Sequence, residues 1–246
     1  MISACASTPQ AAPSAPESRP GKVLQRYATL PKLSIGSYNP TRGGFESLRG
    51  SGETGLKKHL SLFFPGTTYH FTGFLSKTFF QSINVFLIGV AFSDTTPIKP
   101  LGATEQANLV NFAKGGGTVI IFADNTDFQT ADDSLLSPFG VSSTGKLTGS
   151  QTAAFVNTPN PIMNGPAGKA AQIDSYYPGW LSSLGSSTAV ADLNANGEPV
   201  VSYLPAGALG SSSGAVVFFS DSSLMVDGIR TNNDRIAIFN ALALTK

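Results

Sequence analysis

The stretch Leu101–Asn125, LGATEQANLVNFAKGGGTVIIFADN, decides the fold of this chain. Its first half predicts an amphipathic helix, because Thr104 is a good N-cap and the apolar residues that follow recur at helical spacing. Leu109, Phe112 and Ala113 fall on one side of that helix. The pattern therefore predicts a helix with a single buried face.

Three glycines, Gly115–Gly117, end this helix and permit a tight turn into the strand Thr118–Ala123. That strand and the run Ser82–Val90 are both nearly continuous in apolar residues. Strands that are apolar on both faces are typical of a central parallel sheet with helices on its two sides. The sequence therefore predicts an α/β fold with a doubly wound, mostly parallel sheet.

The regions around this unit fit the same architecture. Upstream, Lys32–Ser37 is a strand candidate, and Thr54 is a candidate cap for a helix through about Phe64. Downstream, Asn196-Gly197 separates two strand-like runs and is a strong hairpin signal. We therefore expect an added β-hairpin toward the C-terminal half of the chain, before a last helix that begins near Asn232.

Composition excludes several classes of function. The 246 residues are 41% hydrophobic and only 13% charged, which is typical of a globular chain with a substantial core. The net charge of +1 and the lack of Lys/Arg clusters argue against nucleic acid as a partner. A single cysteine excludes an internal disulfide framework and a cysteine-based zinc site.

The first 21 residues differ in composition from the rest. They hold four prolines among small residues, which offer too little apolar surface to offset the entropy of ordering. We therefore expect a tether over 1–21 and a single α/β domain over 22–246.

The only cysteine, Cys5, follows Ile2-Ser3-Ala4, the small-residue pattern that precedes the acylated cysteine of bacterial lipoproteins. The charged and apolar regions of such a signal are absent ahead of it, so an upstream start codon or a replaced signal must be assumed. On this interpretation Cys5 carries lipid, which is the chain's only link to a membrane. The protein is then exported and lipid-anchored in the cell envelope; the alternative is a chance cysteine in the tail.

The order of motifs resembles a known family. ATEQANLVNFAKGGGTVIIFADN, SLLSPFGV, NGEPVVSYLP, GAVVFFSDSSLM and NNDRIAIFNAL resemble the class I glutamine amidotransferase-like (flavodoxin-like) domains of gliding-motility and intraflagellar-transport proteins, over roughly residues 30–245. The late acidic turn of those domains matches Ser220-Asp221-Ser222 here. Catalytic members carry a cysteine at a strand-to-helix elbow, with a histidine to activate it. This chain has no cysteine after Cys5, so the resemblance implies a non-catalytic relative.

Acidic residues follow three of the predicted strands. In a parallel sheet these carboxylates gather at one edge, where open α/β sheets bind ligands. Such a group can hold a metal ion or sugar hydroxyls, or raise one another's pKa; the alternative is that each Asp caps the next turn. The candidate ligand-binding rim comprises Asn39, Asp94, Asp124, Asn125, Asp127 and Asp221.

Other motifs are weaker. The run Asp192–Tyr203 starts like a calcium loop but ends in Tyr where a bidentate Glu is needed. The Gly-rich turn Asn39–Gly55 lacks the spacing of a phosphate-binding loop. His59 and His70 are expected to be structural or exposed, and the aromatic run Tyr176–Trp180 either stacks on sugars or packs a loop onto the sheet.

These observations predict a non-catalytic binding or scaffolding domain, with an envelope protein or a carbohydrate as ligand and no cofactor or metal. The alternative is a carbohydrate-directed hydrolase that uses paired carboxylates among Asp94, Asp124 and Asp221. The ligand, the partner and the oligomeric state stay open at this stage.

Overall fold

The computed structural model describes residues 30–38, 48, 54–92, 96–193, 197–226 and 228–246. The α-helices in these ranges are α1 (Thr54–Phe63), α2 (Lys77–Gln81), α3 (Ala103–Lys114), α4 (Gln129–Leu136) and α5 (Asn232–Leu242). In this described part of the chain, no helix has both the length and the apolar character needed to cross a lipid bilayer.

The described residues also form β-strands. They are β1 (Ser34–Tyr38), β2 (Thr68–Thr72), β3 (Val85–Gly89), β4 (Ala91–Phe92), β5 (Thr96–Pro97), β6 (Thr118–Phe122), β7 (Ser142–Thr144), β8 (Ser150–Phe155), β9 (Asn164–Gly165), β10 (Gly168–Lys169), β11 (Gln172–Tyr176), β12 (Trp180–Ser183), β13 (Thr188–Leu193), β14 (Glu198–Leu204) and β15 (Val216–Phe219).

One sheet of nine strands organises the fold, in the order β11-β8-β13-β14-β15-β6-β3-β1-β2. Strands β15, β6, β3, β1 and β2 run parallel to one another, whereas β14, β13, β8 and β11 extend the sheet from β15 in antiparallel pairs. The predicted α/β fold with a mostly parallel sheet is confirmed. The antiparallel part is larger than one added hairpin, because the hairpin β13–β14 also pairs with β8.

Both faces of the sheet are covered by helices. In β3, Val85 and Leu87 pack into the core cluster that contains α1 and α5 side chains. Phe86 and Ile88 point to the other cluster, which is built from residues of α2, α3 and α4. The sheet is therefore doubly wound, as its apolar central strands predict.

Helix α3 starts earlier than expected. The N-cap is Gly102 and not Thr104, because Glu105 reaches back to accept a hydrogen bond from the Gly102 N–H at 3.3 Å. The other oxygen of Glu105 accepts from the Leu75 N–H at 3.0 Å, so this buried carboxylate also joins α3 to the loop before α2. At the far end, a Cβ on Gly117 would overlap the Phe112 ring, which explains a glycine in this turn.

Candidate functional site

Two of the predicted rim carboxylates lie side by side. Strands β6 and β15 are parallel neighbours with Phe122 paired to Phe219, and Asp124 and Asp221 each come two residues later. The hydroxyl of Ser222, next to Asp221, donates a hydrogen bond to the Asp124 carboxylate. The sheet register thus brings Asp124 and Asp221 together at the carboxyl ends of the strands.

Asp124 is buried, and its carboxylate accepts several hydrogen bonds. Both the backbone N–H and the side-chain amide of Asn125 donate to its Oδ1 atom at 2.8 Å, and Ser222 donates to Oδ2. Burial raises the pKa of Asp124, while the hydrogen bonds from Ser222 and Asn125 act in the opposite direction. The side chain is therefore part of the interior at this end of the sheet.

Asp221 is even more enclosed, with an exposed fraction of 1%. Its Oδ2 atom accepts a hydrogen bond from the Tyr176 N–H at 2.6 Å, and its Oδ1 atom accepts one from the Ser223 N–H at 2.8 Å and another from the Ser223 hydroxyl. Burial, followed by the charge of Asp124, raises the pKa of Asp221 to about 7. Asp221 also caps the 3₁₀ turn that follows β15, as expected for an Asp at a strand end.

A third buried carboxylate, Asp132 on α4, was not predicted. It accepts hydrogen bonds from the Asp124 N–H at 3.2 Å and from the Ser143 hydroxyl at 2.8 Å. Burial raises the pKa of Asp132 well above its usual value. The sequence does carry one signal: Asp132 lies three and four positions before Leu135 and Leu136, so it falls on the apolar side of the helix.

The ends of β6 and β15 are covered by the segment Tyr176–Trp180, which we name the covering segment. Besides the Tyr176–Asp221 bond, the Asn125 side chain donates to the Tyr177 carbonyl at 2.9 Å. The Ser220 hydroxyl donates to the Gly179 carbonyl, also at 2.9 Å. Carboxylate, amide and hydroxyl groups of the strand ends thus bind the backbone of this segment and hold it over the sheet.

Close packing fixes the middle of the covering segment. A Cβ on Gly179 would lie 2.8 Å from the carbonyl oxygens of Asp124 and Thr144, so only glycine fits without a shift. The Trp180 ring lies against Gly145, where an added Cβ would overlap it. Of the two interpretations of this aromatic run, the contacts of Trp180 match packing onto the sheet edge.

Tyr176 and Tyr177 are the outer surface of the covering segment. Their side chains are 40% and 38% exposed, and the two rings meet edge to face with centroids 4.5 Å apart. Tyr177 has a φ of 57°, a left-handed conformation that non-glycine residues seldom adopt. The structure therefore presents an aromatic pair above the buried carboxylates.

Asp127 lies outside this buried group. Its exposed carboxylate pairs with Lys146, and its N–H donates to the Asn125 side-chain oxygen at 3.1 Å. Exposed pairs of this kind contribute little to stability. The remaining predicted rim residues, Asn39 and Asp94, lie outside the described residues, as do Cys5 and the tether 1–21.

The weaker sequence candidates are dispersed. Tyr203 pairs with Thr188, at the opposite end of the β13–β14 hairpin from Asp192, so the two residues do not share a calcium loop. His59 lies on α1 and His70 on β2, away from the covering segment along the chain. Among the described residues, no group of three or more His, Cys, Asp or Glu side chains is placed to hold a metal ion.

Known proteins resemble this chain in structure. No protein-family model matches the sequence, and a search of curated proteins found no relative. The mmIFT52 N-terminal domain matches with a TM-score of 0.61 and 13% identity, over 84% of this chain and 94% of that one. A β-galactosidase from Rahnella sp. R3 matches with a TM-score of 0.53 and 12% identity, over 85% of this chain but 30% of the enzyme.

A glutamine amidotransferase from Thermotoga maritima is also similar, with a TM-score of 0.47 and 8% identity over 86% of this chain and 96% of that one. At such identities the first two likenesses show the fold alone, an α/β arrangement. The galactosidase match covers less than a third of a longer enzyme, so its activity is not carried over to this chain.

Proposed function

We propose that this chain is a non-catalytic binding or scaffolding domain that engages a partner through the surface of the covering segment, above the carboxyl ends of the strands. The observation that carries this proposal is the use of both rim carboxylates in structural hydrogen bonds. Asp124 and Asp221 accept bonds from backbone and side-chain donors on every oxygen described. Asp221 binds the covering segment directly, and Asp124 orients Asn125, which binds the Tyr177 carbonyl. The partner contacts the exposed surface of that segment.

The exposed pair Tyr176 and Tyr177 supports a protein partner. Tyrosine is enriched in the centres of protein interfaces because its ring buries a large area and its hydroxyl keeps a polar contact. The two rings are partly fixed already, since they contact each other and their backbone is bound to Asp221 and Asn125. A pre-ordered surface loses less conformational entropy on binding.

The hydrolase alternative is weakened by the same geometry. Paired-carboxylate hydrolysis requires both carboxyl groups to reach the substrate. Asp221 is 1% exposed, and the backbone of Tyr176 occupies one of its oxygens. If the chain hydrolysed a panel of nitrophenyl glycosides, and Asp124→Asn and Asp221→Asn both abolished that turnover, the proposal of a non-catalytic domain would be overturned.

The decisive experiment is a pulldown from the envelope fraction with the native full-length gene product. We expect wild type to recover a specific partner and the double variant Tyr176→Ala/Tyr177→Ala to lose it. Phe74→Ala is the matched control, because Phe74 is a 49% exposed aromatic residue outside the covering segment. Failure of wild type to recover any partner, together with no thermal shift across a panel of sugars and metals, would contradict the proposal.

The location of the protein is a separate part of the proposal. The motif Ile2-Ser3-Ala4-Cys5 and the proline-rich stretch after it support an exported form that is anchored by lipid at Cys5 and held away from the membrane by its tether. Mass spectrometry of the native gene product tests this directly. A diacylglyceryl-modified Cys5 is expected, and an unmodified thiol at Cys5 in the mature protein would exclude the anchor.

A further inference from the structure

A cleft of about 480 Å³ lies between α1 and α5, on a helical face of the molecule and separate from the covering segment. Its lining combines one cationic group with several apolar ones, which include Leu62, Phe63, Ile236 and Phe239, beside His59 and Arg235. Asn232 is a further polar residue of the lining, so the cleft is mixed in character. Pockets of a few hundred cubic ångströms that combine apolar side chains with orienting polar groups are typical of small-molecule sites.

Arg235 supplies the charge of this cleft. The side chain is half-buried, and its Nη1 atom lies 3.4 Å from Nε2 of His59, while Nη2 donates to the Asn232 side-chain oxygen. Among the described residues Arg235 forms no ion pair. These contacts orient the guanidinium, but neither His59 nor Asn232 supplies a negative charge. A half-buried cation is stabilised by a nearby anion.

The acidic residues near the start of α5, Asp234 and Asp174, accept hydrogen bonds from groups other than Arg235. Asp234 accepts hydrogen bonds from the Thr231 N–H at 2.7 Å and from the Asp174 N–H at 2.9 Å, which fix the start of α5. Asp174 in turn accepts from the Thr231 hydroxyl at 3.0 Å and from the Gln172 amide. Both carboxylates therefore serve the helix cap and the β11 edge.

The other half of the cleft is apolar. Leu62 is 65% exposed, the highest value among the large exposed hydrophobic residues described. Beside it, the rings of Phe63 and Phe239 contact each other with centroids 5.3 Å apart. Phe239 is buried, whereas Phe63 and Ile236 are partly exposed. An apolar group placed against Leu62, Phe63 and Ile236 would remove their exposed area from water, at about 25 cal/mol per Å² of area covered.

We propose that this cleft binds a small apolar carboxylic acid, with the carboxylate paired to Arg235 and the hydrocarbon or aromatic body on Leu62, Phe63 and Ile236. The planar guanidinium matches the two oxygens of a carboxylate. A cation that forms no ion pair within the described part of the chain, beside a partly exposed apolar surface, is complementary to an anionic amphiphile. This proposal is independent of the one for the covering segment.

The test is calorimetric titration of the whole protein with octanoate, octanol and acetate. Octanoate has both a carboxylate and a hydrocarbon chain, whereas octanol lacks the carboxylate and acetate lacks the chain. We therefore expect octanoate to bind at least about tenfold more tightly than either. Arg235→Gln should reduce octanoate affinity to the level of octanol. Leu62→Ser should weaken octanoate and octanol alike; because Leu62 is exposed, this variant keeps the proposal testable if Arg235→Gln fails to fold.

Lys114→Gln, at the exposed end of α3, is the matched removal of a positive charge outside the cleft and should leave the affinity for octanoate unchanged. Equal affinities for octanoate and octanol would overturn the role of Arg235. Absence of saturable octanoate binding to wild type, or octanoate binding that neither Arg235→Gln nor Leu62→Ser reduces, would overturn the site itself.

Discussion

The carboxylate of Asp221 accepts a hydrogen bond from the backbone N–H of Tyr176 at 2.6 Å, across 45 positions of the chain. A strand-end acid at the place where open α/β sheets bind ligands is here bound to the protein's own backbone. At β6 and β15, the edge of the sheet that the sequence predicts as a ligand rim is therefore covered by the segment Tyr176–Trp180. Above these two strand ends the exposed groups of that segment are the rings of Tyr176 and Tyr177.

Asp221→Ala should be strongly destabilising. The change removes the acceptor for the Tyr176 N–H and for two donors of Ser223 in a buried setting, and unpaired buried donors are costly. We expect the free energy of unfolding to fall by about 2–4 kcal/mol, measured by urea denaturation at neutral pH. Ser223→Ala, which loses a single side-chain bond to the same carboxylate, should cost about 1 kcal/mol. Equal stabilities of Asp221→Ala and wild type would show that Asp221 does not hold the covering segment.

The stability of the protein should decrease as the pH rises from about 4 to above 7. The pKa of Asp221 is about 7 in the folded state and 3.8 for the unperturbed side chain, so the folded state binds the proton more tightly. The stabilising contribution of neutral Asp221 is complete below the lower value and is lost as the pH passes the higher one. This shift corresponds to a change in stability on the order of 4 kcal/mol.

The pKa values of Asp124 and Asp132 are also raised by burial, so these residues act in the same direction. Urea unfolding across this pH range measures the slope, and Asp221→Asn should make it shallower because one titrating group is removed. A wild-type stability that increases steadily between pH 4 and 7 would contradict the assigned direction.

The central strands of the sheet could be predicted from the sequence, whereas the covering segment could not. Strands β3, β6 and β15 are apolar on both faces, a pattern that directly reflects their burial between helices. The parallel pairing of β6 with β15, which the sequence does not specify, then places Asp124 beside Asp221. The covering segment depends instead on contacts between distant parts of the chain, such as Asn125 with Tyr177, for which the local sequence carries no periodic signal.

Gly179→Ala tests the close packing of the covering segment. The added Cβ would lie 2.8 Å from two backbone oxygens, of Asp124 and Thr144, and backbone atoms move less readily than side-chain ends. We expect a loss of about 1–3 kcal/mol in the free energy of unfolding, the range for overpacked interiors. Gly102→Ala is the control, since a Cβ there meets nothing within 4 Å, and it should cost less than about 1 kcal/mol as a change of N-cap. Equal costs at the two sites would mean that the segment shifts freely.

The neighbouring acids Asp132 and Asp133 on α4 offer the sharpest comparison. Asp132 is fully buried and accepts bonds from Ser143 and from the Asp124 N–H, whereas Asp133 is exposed and accepts one bond from Gln129. Asp132→Ala leaves two buried donors unpaired, so it should lower the free energy of unfolding by about 2–3 kcal/mol. Asp133→Ala should change it by less than about 0.5 kcal/mol, because a surface substitution has little to disturb. Urea denaturation of both variants at one pH measures the difference. Because Ala has a higher helix propensity than Asp, a loss at either site must come from lost contacts. A cost at Asp133 equal to that at Asp132 would show that the buried hydrogen bonds of Asp132 do not decide the stability of this region.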